Sequence, residues 1–184
     1  SPLHYTQPSH CAIELLEGRA DLGLIPIASL TPGLAIVPGC TIASLDNVRS
    51  IQLIVKLNHP HPPSTTSSTA SEQVLAHVRT IAADTASRSS LAYTQILFQK
   101  FLGITPAFVP APADPVSMLS HADAALLIGD PALLALEDRE QIEAHPHIGP
   151  CLWLDLAHEW HTRTRLPWVA AVWAVRPQSL NRDT

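Results

Sequence analysis

Segments that are apolar along their whole length alternate with amphipathic segments through most of this sequence. The stretches RTIAAD (79–84), ADAALLIGD (122–130) and PWVAAVWAVR (167–176) predict strands, and LAYTQILFQKFLG (91–103) and PALLALEDREQI (131–142) predict helices. A strand that is apolar on both sides must be covered on both faces of its sheet. The alternation therefore predicts an α/β fold with covered, mostly parallel sheets.

Two other segments carry different strand signals. In VRSIQLIVKL (48–57) every second residue from Ile51 to Leu57 is aliphatic, which predicts a strand with one apolar face. LAIVPGCTIASL (34–45) has the turn residues Pro38 and Gly39 near its middle and predicts a pair of short strands.

An internal repeat predicts two lobes. GRADLGLIPIASL (18–30) and SHADAALLIGDPAL (120–133) share a helix end, an Ala-Asp pair, an apolar strand and a polar or proline stop. We assign residues 1–57 and 166–184 to lobe 1 and residues 72–165 to lobe 2. The stretch 58–71, rich in Pro, Ser and Thr, predicts a flexible surface insertion between them.

Charge and hydropathy exclude several classes of partner. The formal net charge is −5 at pH 7, and no block of Lys and Arg occurs. Nucleic acids and anionic membranes are therefore poor candidate partners. The longest apolar runs are also too short to span a bilayer.

A group of possible metal ligands lies near the C-terminal end, but its spacing matches no zinc template. The group contains His145, His147, Cys151, His158 and His161. Because HPHIGP (145–150) is interrupted by prolines, we interpret these histidines as solvated and predict no metal site.

The junction DTASRSS (84–90) joins a predicted strand to a predicted helix. The first backbone N–H groups of a helix lack partners within it, and the helix dipole makes this end electropositive. Hydroxyl groups and the charge of Arg88 add further donors, which together suit an anion. Since no Gly-rich phosphate loop occurs, a carboxylate is favoured over a phosphate. The alternative is that a Ser or Asp only caps the helix and that Arg88 pairs with Asp84 or with solvent.

Several other strand ends are expected to meet this junction. In open α/β sheets, ligands bind at the carboxyl ends of strands, and two facing lobes would bring these ends to one cleft. The ends in question are residues 26–29, 44–50, 84–90 and 129–130. Ser50 has no GxSxG context and no neighbouring base, which excludes a serine hydrolase.

Several of these stretches together resemble one family. GRADLGLIPIASL, IVPGCTIAS, VRSIQL, IAADTASRSS, ADAALLIGDPAL and DLAHEWHTRTRLPWVAAVWAVR are similar to the chorismate dehydratases of the futalosine route to menaquinone. The similarity covers most of the chain outside residues 58–71. The conjunction of DTxSR[ST]S with LLIGD and LP[FW]V is more specific than ADLGL, which fits many binding-protein-like sequences.

The resemblance implies a two-lobed, type II periplasmic-binding-protein-like fold with a ligand cleft between the lobes. It implies a cytoplasmic, cofactor-independent lyase that acts on a small dicarboxylate, chorismate, and needs no metal. Ser50 matches the family's catalytic serine. Ser44, in the same segment of residues 44–50, is predicted to bind substrate. The other substrate-binding positions implied are Thr85, Ser87, Arg88, Ser89, Gly129 and Asp130.

Family members begin with a strand and a motif whose Asn lies in the active site, and this sequence starts after that position. We therefore expect lobe 1 to be incomplete in this chain. Two alternative functions stay open: a ligand-binding protein without catalysis, and the sister enzyme 1,4-dihydroxy-6-naphthoate synthase, which a histidine base in the cleft would favour.

Overall fold

Eight strands form two sheets in the computed structural model, which describes residues 3–57, 70–84 and 88–179. The strands are β1 (Leu22–Pro26), β2 (Ala35–Ser44), β3 (Ile51–Lys56), β4 (Thr80–Ala83), β5 (Ala107–Pro110), β6 (Ala124–Ile128), β7 (Cys151–Asp155) and β8 (Trp168–Val175). The smaller sheet has the order β1-β8-β2, and the larger has the order β5-β4-β6-β3-β7.

Seven α-helices pack against these sheets within the described residues. They are α1 (Pro8–Leu16), α2 (Ala70–Leu75), α3 (Arg88–Ile96), α4 (Pro115–His121), α5 (Asp130–Glu137), α6 (Arg139–Glu143) and α7 (Leu156–Thr164). A π-helical turn, Leu97–Phe101, extends α3, and Gly103 follows it with φ +70°. None of the described helices combines the length and apolarity that a membrane span requires.

Apolar clusters cover both faces of the larger sheet. On one face, Leu53, Ile81 and Leu126 pack with Phe98 and with Trp168 of the other sheet. On the opposite face, Ile54, Ala125 and Leu127 pack with residues of α4, α5 and α6. These central side chains are almost completely inaccessible to solvent, which explains why β6 is apolar at every position.

A third cluster fills the space between α1 and the smaller sheet. Ala12 and Leu15 of α1 pack against Ile25, Val172 and Ala174 of the two adjacent strands. Both pairings in this sheet are antiparallel. Each unit therefore has its own sheet, and the predicted two-lobed α/β architecture is confirmed.

The expectation of mostly parallel sheets was wrong. In the larger sheet β4 is parallel to β5 and β6, whereas β3 is antiparallel to β6 and β7. An apolar run indicates that a strand is buried on both faces, but it does not indicate whether the strand is parallel or antiparallel to its neighbours.

The pairing of β3 also differs from the predicted division of the chain. Residues 51–56 belong to the same sheet as β4 and β6, although the prediction assigned them to lobe 1. The chain therefore leaves the smaller sheet within residues 45–50. Residues 58–69 of the predicted insertion lie outside the described residues, and residues 70–71 begin α2.

Residues 35–44 form one strand instead of the predicted pair of short strands. The register with β8 shifts between Ile36 and Thr41, so the residues between them form an irregular, bulged section. Gly39 has φ +82° at this point, which a glycine adopts without strain. Pro38 and Gly39 therefore bend a single strand without ending it.

Asp123 ties the start of β4 to the start of β6. Its Oδ2 accepts hydrogen bonds from Arg79 N at 2.9 Å, Thr80 N at 2.9 Å and Thr80 Oγ1 at 3.0 Å. Burial by itself raises the pKa of this carboxyl, but the three hydrogen bonds outweigh burial and the pKa lies below its ordinary value.

We predict that Asp123→Ala lowers the free energy of unfolding by about 1.5–3 kcal/mol, because it removes an ionised acceptor shared by three donors. Urea denaturation at pH 7 measures this change. Because the folded-state pKa is depressed, the stabilisation is present above the unfolded pKa of about 4 and is lost as the pH falls through the folded value. The difference between wild type and variant should therefore shrink in acid.

Asp138→Ala is the matched control, because Asp138 is exposed and its side chain does not cap the helix that it precedes. Its effect should stay within about 0.5 kcal/mol. Equal losses for the two variants would contradict the assigned role of Asp123.

Candidate active site

One edge of the larger sheet collects most of the predicted site residues. The antiparallel register pairs Ile51 with Ile128 and Gln52 with Asp155, so the first residues of β3 lie beside the last residues of β6 and β7. β4 is parallel to β6 and ends at the same edge. Residues 50, 84, 129 and 155 therefore lie along a single edge.

Ser50 and Gly129 are in direct contact at this edge. The Gly129 N–H donates a 2.7 Å hydrogen bond to the Ser50 carbonyl, which continues the β3–β6 ladder beyond its last pair. Ser50 is half-buried, and its hydroxyl makes no hydrogen bond within the described part of the chain. The Ser50 hydroxyl is therefore available to a ligand.

Gly129 has a backbone conformation that other residues rarely adopt. Its φ is +68° and its ψ is −144°, a combination found almost only in glycine. Asp130 follows as the first residue of α5 and is exposed, and no side-chain hydrogen bond caps this helix. Asp130 therefore does not cap this helix, because the N-cap position is occupied by Gly129.

The loop of residues 45–50 is fastened by side chains at both of its ends. Ser44 Oγ donates to the Asn47 carbonyl at 3.0 Å and accepts the Asp46 N–H at 3.2 Å, so its hydroxyl already serves the loop. Asp155 Oδ2 accepts the N–H groups of Val48 at 3.0 Å and Arg49 at 2.6 Å. The substrate-binding role predicted for Ser44 stays a prediction.

His158 fastens the same loop from the first turn of α7. Its Nδ1 lies 2.6 Å from Asp46 Oδ1. This hydrogen bond raises the pKa of the imidazole, and nearby acidic groups add to the effect. Nε2 lies 3.5 Å from Thr162 Oγ1, so both ring nitrogens have neighbours. Among the described residues, no three His, Cys, Asp or Glu side chains are grouped to hold a metal ion.

The start of α3 is anchored to the other lobe. Ser89 is buried, and its Oγ donates a 2.8 Å hydrogen bond to the Ala170 carbonyl of β8. One turn later, Tyr93 Oη donates to the Val169 carbonyl at 2.9 Å. The hydroxyl proton of Ser89 is therefore shared with β8.

Arg88 is exposed and forms no ion pair or hydrogen bond within the described residues. The alternative in which Arg88 pairs with Asp84 therefore has no support in these contacts. Thr85 and Ser87, which complete the predicted anion-binding junction, lie outside the described residues. The roles of these four positions stay predictions.

Two further residues lie near the site: Ser29, within the predicted strand end 26–29, and Asp155, which sequence analysis missed. Ser29 follows β1 in a short helical turn that contacts α3, and its buried hydroxyl has no partner within the described chain. Asp155 caps α7 and also holds the 45–50 loop. An Asp before a helix is a recognisable cap signal, but its contacts to residues about a hundred positions away leave no local pattern.

This arrangement of two sheets, with strand ends meeting where the lobes join, defines the chain as a two-lobed, periplasmic-binding-protein-like α/β protein. The crystal structure of a protein from Archaeoglobus fulgidus has the same fold, with a TM-score of 0.58 at 17% identity, and the match covers 96% of this chain and 57% of that one. A more distant match is a LysR family transcriptional regulator from Pseudomonas aeruginosa, with a TM-score of 0.48, 15% identity and coverage of 97% and 54%.

The family model for menaquinone biosynthesis matches residues 2–184, and the chain belongs to that family. A chorismate dehydratase from Thermus thermophilus is 28% identical over 174 residues, which make up 90% of this chain and 58% of that protein. The chain thus spans less than two thirds of the length of this relative. The predicted family is confirmed.

We predict that Gly129→Ala lowers the free energy of unfolding by about 1–3 kcal/mol, because an L side chain strains the backbone at this φ and ψ. A Cβ atom at Gly129 would have no heavy atom within 4 Å, so the cost comes from the backbone and not from a clash. Chemical denaturation measures the change.

Gly33→Ala is the matched control, since a Cβ there also has open space and Gly33 does not have a positive φ. This variant should be neutral or slightly stabilised. A Gly129→Ala protein as stable as Gly33→Ala would contradict the predicted strain.

Proposed function

We propose that the protein is a chorismate dehydratase, which converts chorismate to 3-[(1-carboxyvinyl)oxy]benzoate and water in the first step of the futalosine route to menaquinone. The observation that carries the proposal is the match of the whole chain to the menaquinone biosynthesis family, together with its similarity to a protein of that name. The proposed enzyme is cytoplasmic and uses neither an organic cofactor nor a metal.

The site residues suit the two carboxylates of chorismate. One carboxylate is on the ring and the other is on the enolpyruvyl arm. Arg88 at the start of α3 is exposed and has no ion pair or hydrogen bond within the described residues, and the first backbone N–H groups of a helix lack partners within it. We propose that this junction, with Thr85, Ser87 and Ser89, holds one of the carboxylates.

The proposed reaction forms an aromatic ring, so much of its driving force lies in the substrate. The bond from a ring carbon to hydrogen breaks and its electrons form the new ring double bond. The neighbouring hydroxyl leaves as hydroxide and takes up a proton to become water. The enzyme has to orient the substrate, provide a base and help the hydroxide to leave.

In this scheme the substrate's own enolpyruvyl carboxylate is the base that removes the ring proton. Holding that carboxylate against the ring is a proximity effect, worth about 7–11 kcal/mol at best. The Ser50 hydroxyl, which has no partner in the described residues, donates a hydrogen bond to the leaving oxygen. Gly129 and Asp130 form the wall of the cleft beside it.

The decisive experiment incubates the protein in its full natural length with chorismate and follows the aromatic product by absorbance and mass. We expect a product that is one water molecule lighter than chorismate. Binding without turnover would overturn the proposal in favour of a ligand-binding protein, and turnover only of later intermediates would favour the sister naphthoate synthase.

Ser50→Ala should lower kcat on the order of 100-fold with a smaller effect on substrate affinity, because its hydrogen bond strengthens as negative charge develops on the leaving oxygen. Steady-state kinetics measure both quantities. Ser120→Ala is the control, since Ser120 is an exposed serine on α4 whose hydroxyl donates to the Val116 carbonyl. A Ser50→Ala enzyme with normal kcat would exclude Ser50 from the chemistry.

Arg88→Gln should raise the KM for chorismate by about 10–150-fold, the effect of losing a hydrogen bond to a charged group worth about 1.5–3 kcal/mol. Arg79→Gln removes the same charge at the opposite end of β4 and should leave KM unchanged. If both variants changed KM equally, the effect would come from net charge and not from a contact with the substrate.

A further inference from the structure

Asp155 makes an unusual number of contacts for one half-buried carboxylate. Its Oδ1 accepts the N–H groups of Ala157 at 3.0 Å and His158 at 3.2 Å and so caps α7. Its Oδ2 accepts the N–H groups of Val48 and Arg49 on the crossing between the two sheets. One side chain thus joins a helix of the larger unit to the segment that carries Ser50.

The residue held by Asp155 is in a strained conformation. Arg49 has φ +57°, in the left-handed region that is unfavourable for a non-glycine residue. The Arg49 N–H donates to Asp155 at 2.6 Å, and the Arg49 carbonyl accepts Gln52 Nε2 at 3.0 Å. Gln52 is itself buried, so both peptide groups of Arg49 are fixed by side chains.

Packing alone does not hold this turn in place. Asn47 and Arg49 are exposed and line an open groove of about 470 Å³. Val48 contacts the core, but the next inward contact of the chain is Ser50 itself, through the Gly129 hydrogen bond. The left-handed turn at Arg49 therefore sets the direction in which Ser50 enters the sheet edge.

We propose that Asp155 is a positioning residue for the dehydration, which holds Arg49 in its left-handed conformation and thereby fixes Ser50 against Gly129. This inference rests on the proposed function and extends it to a residue that does not contact the substrate. Asp155 stabilises the strained turn with an ionised acceptor, and hydrogen bonds to ionised groups are among the stronger ones in proteins.

Asp155→Ser in the full-length protein tests this role. Serine is as good an N-cap as aspartate, so α7 keeps its cap, but one hydroxyl oxygen cannot also accept the two N–H groups of the loop. We expect kcat to fall on the order of 10- to 100-fold, the cost of a small misplacement of a reacting group, while KM changes less than about threefold. Amide hydrogen exchange at Val48 and Arg49 should become faster.

A matched control and a rescue separate positioning from general stability. Asp114→Ser changes another Asp cap, which bonds Val116 N at 3.1 Å on α4 and does not contact the loop, and it should keep kcat. Arg49→Gly in the Asp155→Ser background should raise kcat again several-fold, because glycine adopts a positive φ without strain. A helix-capping role alone predicts no rescue.

Suppose that the wild-type enzyme is active and that Asp155→Ser has the same kcat and the same amide exchange. That result would overturn this inference and leave the proposed function intact. Equal losses of kcat in Asp155→Ser and Asp114→Ser, or a failure of Arg49→Gly to rescue, would also overturn it. An inactive wild-type protein would instead overturn the proposed function and, with it, the positioning role of Asp155.

Discussion

The antiparallel insertion of β3 between β6 and β7 is the constraint on which the candidate site depends. Because β3 runs against its neighbours, its first residue lies beside their last residues, and Ser50 meets Gly129 at 2.7 Å through the backbone. A parallel β3 would carry Ser50 to the opposite edge of the sheet, away from α3. The crossing from the smaller sheet therefore ends directly at the edge where ligands bind in α/β folds.

The second connection between the lobes runs through β8. Its Trp168 packs in the core of the larger unit, while later residues of the same strand pack against α1. Ser89 and Tyr93 donate to the Ala170 and Val169 carbonyls and attach the first turns of α3 to this strand. Movement of β8 relative to the larger sheet would therefore also move the proposed anion-binding end of α3.

Local signals in the sequence predicted the elements well and their long-range pairing poorly. Apolar runs and Gly103 placed β4, β6, β8 and the helix at 88–101, because each of these signals acts within a few residues. Strand direction in β3 and the bulge in β2 depend on partners far along the chain. Ser50 and Gly129 could be predicted because they lie at strand ends, whereas the loop contacts of Asp155 join residues far apart in the chain and leave no local signal.

The alternative functions differ in which group acts as the base that removes the proton. A histidine base would favour the sister enzyme, and His158 lies on the first turn of α7, beside the 45–50 loop. Its Nδ1 is 2.6 Å from Asp46 and its Nε2 faces Thr162, so the ring is held in a loop contact. Turning this ring toward a ligand would break its contact with Asp46, one of several contacts that hold the 45–50 loop. The Asp46 contact thus gives His158 a role in holding the loop, which is consistent with the proposed scheme, in which the base belongs to the substrate.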